Sequence, residues 1–356
     1  MIKVMVVEDS VVVREFLLHV FNSAPGISVV GAATNGEEAV RVVERLKPDV
    51  ITMDIHMPIM NGLEATRRIM ETYPVPIIIV SGTTNPGDVD TTFRAMEAGA
   101  VAFLQRPAGI GHPDHEADTR KLLQMVRSMS EVKMVRRWPS GRHKAIAASP
   151  PPTAEARTPQ RVNVVAIGAS TGGPPVLQTI LAGLPANFPV PVLVVQHMAP
   201  GFVQGFAEWL SRSSALPVQL AMQGELLLPS RVYIAPDKYQ MGVVRSGKIS
   251  LVRAPSENGL CPSVSYLFRS VAEVYAGHAV AGLLTGMGRD GASELKQLRE
   301  AGAVTFAQDQ ESSVVHGMPG EAIKLDAATY VLAPGKIAPL LTSLANNNNR
   351  IGNGTL

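Results

Sequence analysis

The run Gly168-Ala169-Ser170-Thr171-Gly172-Gly173 sets a serine among small residues, after the apolar segment 162–167 and before Pro174-Pro175. A G-x-S-x-G turn between strand and helix exposes a hydroxyl on a tight bend that a substrate can approach closely. In this setting the amino terminus of the following helix aims its dipole and N–H groups at the turn, where an oxyanion would develop. A serine hydroxyl is a weak nucleophile without a base. Eight histidines are available. His197 ends the apolar run Val194-Val195-Gln196, on the same rim as Ser170 if the two strands run parallel. His316, in Val314-Val315-His316-Gly317, is its rival, whereas His278 enters a strand-like run and reads as structural. The acid that orients such a histidine is expected at the end of a third strand. Asp290 stands there, in Thr285-Gly286-Met287-Gly288-Arg289-Asp290-Gly291. Three rival readings stay open. Asp290 alone reads as a helix N-cap, and residues 286–291 spell a weak G-x-G-x-x-G signal. The Ser170 turn could cradle phosphate, although no Walker lysine follows it.

A second constellation is acidic. Glu8 and Asp9 follow the first strand-like run and Asp54 follows the third. Neighbouring parallel strands would bring these carboxylates to one rim, where like charges raise each other's pKa unless a cation neutralises them. Such an oxygen-rich pocket suits Mg²⁺, which takes few protein ligands. Ser81 adds a hydroxyl and Arg106 a cation at the ends of the fourth and fifth runs. Together these groups can hold a transferred phosphoryl group, with Asp54 as the acceptor.

Positioning these residues requires two α/β units. Strand-like runs at 3–7, 28–33, 50–53, 77–80 and 100–104 alternate with helical periodicity, as at 36–46 and 63–71. Such alternation predicts a parallel sheet covered on both faces, with functional groups at the carboxyl ends of its strands. The rhythm resumes at 162–167, 190–195, 231–234, 278–284 and 303–307, with a hairpin over 241–252 around Ser246-Gly247. The expected fold class is α/β: two doubly wound parallel-sheet domains, the first flavodoxin-like, the second Rossmann-like with a β-hairpin. Their expected bounds are 1–128 and 161–345. Between them, 129–160 carries a basic run (Lys133, Arg136, Arg137, Arg142, Lys144) and then Ser149-Pro150-Pro151-Pro152, which reads as a proline-rich tether. The Asn/Gly-rich end, 346–356, is expected to be a disordered tail.

Composition sets the class. A chain of 356 residues suits two domains, and 46% hydrophobic with 17% charged residues describes globular protein. A net charge of +2 gives no ground for nucleic-acid binding, and residues 161–345 offer no helix-turn-helix or basic face. The single Cys261 excludes an internal disulfide and fits a reducing compartment. The first residues enter a strand-like run without signal-peptide architecture, and no apolar stretch approaches membrane-spanning length. The expectation is a cytoplasmic protein without membrane insertion.

Residues 1–125, through Val6-Val7-Glu8-Asp9-Ser10, Met53-Asp54-Ile55-His56-Met57-Pro58 and Asn61-Gly62, resemble the receiver domain of response regulators. That resemblance implies phosphorylation of Asp54 by a histidine kinase. It implies Mg²⁺ held by Glu8, Asp9, Asp54 and the backbone carbonyl of His56. It also implies switch positions at Ser81 and Phe103. Arg106 stands where receivers carry lysine, a planar fork in place of a point charge. Residues 161–345, through 168–173, Gln196-His197-Met198, Ala235-Pro236 and 285–291, resemble the catalytic domain of the chemotaxis protein-glutamate methylesterases. That likeness implies Ser170 as nucleophile, His197 as base then acid, and Asp290 as orienting carboxylate. The backbone N–H groups of Thr171 and Met287 would be the oxyanion donors, and the esterase would need no cofactor. Glutamyl methyl esters on the cytoplasmic helices of chemoreceptors are the implied substrates, with glutamine deamidation as a further activity and phosphorylation as the control. The alternative is an inactive or repurposed two-component adaptor. Cys261-Pro262-Ser263-Val264-Ser265 departs from the family's usual Arg-Pro-Ser-Val-Asp, beside the substrate groove. His316 replaces a usual aromatic residue there.

Overall fold

The computed structural model describes residues 1–82, 86–109, 111–132, 134, 161–257 and 259–352, with backbone only at 86–89 and 347–352. The chain divides into two compact units, Met1–Pro152 and Thr153–Leu356. The division falls inside the expected tether, whose basic and proline-rich stretch lies outside the described residues.

In the first unit, strands β1 (Ile2–Val7), β2 (Ile27–Ala33), β3 (Val50–Met53), β4 (Ile77–Ser81) and β5 (Ala102–Gln105) alternate with five helices. These are α1 (Val11–Asn22), α2 (Gly36–Leu46), α3 (Gly62–Thr72), α4 (Pro86–Glu97) and α5 (His115–Ser130). The sheet order is β2-β1-β3-β4-β5, parallel throughout. Central strands β3 and β4 are buried at every residue, as a parallel sheet covered on both faces requires. The order reverses between β1 and β3, and a crevice opens there at the carboxyl ends. Glu8 and Asp9 leave β1 and Asp54 leaves β3 at that crevice. Asn61 caps α3 by accepting from Glu64 N (2.9 Å), and Gly62 follows because a Cβ there would lie 2.0 Å from Asp54 O. The Asn-Gly pair therefore lets α3 start hard against the loop that carries Asp54.

The second unit carries a seven-stranded parallel sheet in the order β14-β13-β12-β6-β7-β9-β8. Its strands are β6 (Val164–Ala169), β7 (Val192–Gln196), β8 (Val218–Leu220), β9 (Val232–Ile234), β12 (Ala279–Leu283), β13 (Val304–Gln308) and β14 (Tyr330–Leu332). An antiparallel hairpin of β10 (Gln240–Val244) and β11 (Lys248–Val252) stands apart from it. The helices are α6 (Gly173–Ala182), α7 (Val203–Ser211), α8 (Val264–Tyr275), α9 (Ala292–Glu300), α10 (Met318–Lys324) and α11 (Pro334–Gly352). Helix α11 carries the chain past residue 345, where the sequence reading ends the domain. Strands β6, β7 and β12 are buried throughout, and the order switches direction between β6 and β12. The ends of these three strands define the second crevice. Val264 wedges α8 against it: Cβ atoms at residues 168 and 291 would meet Val264 Cγ1 at 2.4 and 2.5 Å. Glycine at both positions lets the amino terminus of α8 reach the strand ends.

Candidate functional site

Ser170 leaves β6 directly. Its N–H donates to Thr285 O (3.0 Å) and its carbonyl accepts from Gly173 N (2.8 Å), which closes the turn from both sides. Gly172 holds φ +78 with no room for a side chain, since a Cβ would lie 2.6 Å from Val314 Cβ. The first turn of α6 offers fewer donors than the sequence suggests. Gly173 N is engaged, and Pro174 and Pro175 carry no N–H. The Thr171 N–H, by contrast, has no acceptor among the described residues. Met287, the other expected oxyanion donor, lies half-buried past β12 and lines a cavity of ≈ 610 Å³ with Arg289, Asp290 and Glu294.

His197 follows β7, its N–H bonded to Ala169 O at 2.9 Å. Its Nε2 lies 2.9 Å from Asp290 Oδ2, and both side chains are nearly closed off from solvent. Asp290 does not cap its own helix, because Gly291, in the left-handed region, takes that place at the start of α9. Its carboxylate instead receives the amino terminus of α8. Val264 N donates to Oδ2 (2.7 Å), while Ser265 N and the Ser263 hydroxyl donate to Oδ1 (3.0 Å each). Burial alone would raise this carboxyl's pKa. The donors from His197, Ser265 and Val264 outweigh it and hold Asp290 well below the usual carboxylate range. An acceptor-only carboxylate fixes the imidazole proton on Nε2 and leaves the Nδ1 lone pair as base.

The three sequence-predicted residues thus meet at one sheet edge, although no hydrogen bond joins the Ser170 hydroxyl to His197. Catalytic hydrogen bonds are often long or poorly aligned until substrate binds. The rival His316 points elsewhere: its Nδ1 lies 3.4 Å from Ser313 Oγ, and burial lowers its pKa. His278 bonds Arg161 O, as a structural histidine does. Burial pushes the Cys261 thiol up, away from nucleophile chemistry.

The first unit gathers Glu8, Asp9 and Asp54 with oxygens within 4.8 Å of one another. Burial, with Asp54 beside it, raises Glu8 to about 7. Burial also raises Asp54. Ser81 is buried at the end of β4, and the half-buried Phe103 packs edge-on against Phe93 at 5.7 Å. Arg106 N donates to Ser81 O (2.8 Å), and its guanidinium covers Gly82, where a Cβ would lie 2.5 Å from Nη2.

Two family models match the chain: CheB methylesterase over residues 165–341 and the response regulator receiver domain over 4–112. A protein-glutamate methylesterase/protein-glutamine glutaminase of Nitrosospira multiformis is 60% identical, with 97% of each chain covered. One from Geobacter metallireducens is 58% identical over 97% of this chain and 99% of its own. The chain belongs to the protein-glutamate methylesterase/protein-glutamine glutaminase family. The crystal structure of the Thermotoga maritima CheB methylesterase catalytic domain, 39% identical, covers 52% of this chain and all of its own at TM-score 0.50. A receiver domain is therefore fused to a methylesterase domain, and no described helix is long and apolar enough to cross a membrane.

Within the methylesterase domain, sequence reasoning missed the groups that hold the acid. Ser263, Val264 and Ser265 supply three of the donors to Asp290. The signal was present: Ser263 precedes an apolar helical run in the manner of an N-cap and accepts from Tyr266 N. What no spacing announces is that the same turn would clasp a carboxylate 25–27 residues away.

Proposed function

We propose that the chain hydrolyses glutamyl methyl esters on chemoreceptor helices through an acyl-enzyme on Ser170, under the control of phosphorylation at Asp54. His197 Nδ1 takes the hydroxyl proton as Ser170 Oγ bonds to the ester carbonyl carbon. The carbonyl oxygen becomes an oxyanion, for which the Thr171 and Met287 N–H groups are the donors. Asp290 stabilises the imidazolium without accepting its proton. The C–O bond to methoxide then breaks, the imidazolium protonates the leaving oxygen, and methanol departs. Water, deprotonated by His197, cleaves the acyl-enzyme to glutamate and free Ser170. A primary amide follows the same course with ammonia as leaving group, which accounts for glutamine deamidation.

The observation that carries this reading is the buried His197–Asp290 pair beside the Ser170 turn, its acid locked as an anion. In the receiver, Asp54 takes a phosphoryl group from a histidine kinase. Glu8, Asp9, Asp54 and the His56 carbonyl are the residues that would hold Mg²⁺. Three close carboxylates, of which burial raises Glu8 and Asp54, fit a divalent cation, which would neutralise the phosphoryl oxygens. Release of labelled methanol from methylated receptor membranes, with and without a small phosphodonor, tests the proposal. Ser170→Ala should abolish release while Asp54 still takes phosphate. A wild-type protein that takes phosphate yet releases no methanol would instead be a signalling adaptor.

A further inference from the structure

Gln196 ends β7 and is 4% exposed. Its Nε2 donates to Ser170 O and to His197 O, both at 2.8 Å. A single amide nitrogen therefore joins the main chain of the serine to the main chain of the histidine. These two acceptors use both of its N–H bonds and fix which way the amide faces. The other amide atom, Oε1, is buried with no hydrogen-bond partner. It presses on α6 so closely that a Cβ at residue 173 would come within 2.1 Å of it. A buried acceptor without a donor is costly, and an apolar side chain of similar shape would escape that cost. It would also leave the Ser170 and His197 carbonyls without the donors that Nε2 supplies, so what the glutamine contributes lies in its nitrogen. Among the described residues, the bond from His197 N to Ala169 O is the last main-chain rung between the strand ends, and beyond it the Gln196 amide ties the two segments.

We propose that Gln196 is a positioning residue for ester hydrolysis, setting the spacing between the Ser170 turn and the His197 loop through its Nε2. The proposal rests on the assignment of Ser170 and His197 made above. Two variants test it. Gln196→Met keeps the approximate shape and removes both donors. Gly173→Ala leaves the glutamine in place but drives a methyl group into its Oε1, at a helical position where alanine is otherwise favoured over glycine. Each is measured in the full chain for kcat and KM in methanol release, for the rate at which a fluorophosphonate labels Ser170, and for melting temperature. A misplaced nucleophile should lower kcat and the labelling rate together, by about 10- to 100-fold, with KM within about twofold of wild type.

Variants that keep kcat and the labelling rate within twofold of wild type overturn the proposal. So does a lowered melting temperature with an unchanged labelling rate, the mark of a purely structural amide. If one variant does not fold, the other carries the same comparison. Should wild type label at Ser170 but release no methanol, the substrate reading fails while the labelling rates still decide the role of Gln196. Should wild-type Ser170 not label at all, both readings fall.

Discussion

Both crevices of this protein hold a buried carboxylate at the carboxyl end of a parallel strand, yet the two acids are prepared for opposite work. Glu8 and Asp54 sit where burial and mutual repulsion favour the protonated form, and few donors oppose them. Asp290 is buried as deeply but receives His197, a serine hydroxyl and two amides from α8. The receiver rim is thus short of positive charge and ready to take a cation or a phosphoryl group. The esterase rim is already satisfied and remains a fixed anion. Fold and topological position are shared, so the difference lies in donors, and donors are supplied by which helix terminus reaches the site.

The largest effect should follow from disturbing the satisfied acid. In Asp290→Asn, an oxygen at the Oδ1 place still accepts from Ser265 N and the Ser263 hydroxyl, which puts the NH₂ group at the Oδ2 place, facing His197 Nε2 and opposing Val264 N. The imidazole must then accept at Nε2 and carry its proton on Nδ1, the nitrogen proposed above as the base. Methanol release should fall by about 10³- to 10⁴-fold with little change in fold. A loss of less than tenfold would mean that Asp290 only caps α8. At the receiver rim, Asp54→Asn should leave basal methanol release intact and remove its response to a small phosphodonor. Full stimulation of that variant would break the link between the domains.

Much of this contrast was legible beforehand, because parallel strands buried on both faces write themselves as apolar runs with their functional residues just beyond. Glu8, Asp54, Ser170 and His197 are all visible in that way. Strands β8 and β14 were not, since each has three residues and neither is buried throughout. The state of Asp290 was also hidden. Its position before Gly291 suggests a cap for α9, whereas its side chain serves α8, a pairing that only the Val264 wedge between two glycines brings about. Gln196 was less legible still. Its role is defined by carbonyls on two separate segments, and no periodicity records them.

The two rims also differ in their response to pH. Glu8 stands at about 7 in the folded receiver against an ordinary value of 4.5. Folded receiver therefore binds more protons than unfolded chain between those values, and the contribution of Glu8 to stability is present at low pH and lost as pH rises through about 7. Mg²⁺ competes with that proton. It should raise the receiver's melting temperature more at pH 8 than at pH 5.5, and Glu8→Gln should flatten the difference. Asp290 has the opposite sign: its contribution is complete above the ordinary carboxylate range and fades only as pH falls below it. The methylesterase domain should show no Asp290-linked change in stability over the interval in which the receiver responds. A parallel pH response in both domains would contradict the distinction drawn from their donors.

The smallest expected effect concerns Arg106, the cation at the receiver rim where the receiver resemblance implies lysine. Arg106 acts on Glu8 and Asp54 through its charge, lowering both, while its fork lies over Gly82. Arg106→Lys keeps the charge and gives up the planar cover on Gly82. Because burial is the dominant influence on both carboxylates and Arg106 a lesser one, phosphorylation of Asp54 should persist, with the lifetime of the acyl phosphate shifted severalfold. Measuring that lifetime by loss of labelled phosphate separates charge from shape. An unchanged lifetime assigns the contribution of Arg106 to charge alone, and loss of phosphorylation would show that the arginine fork has become part of the phosphoryl site.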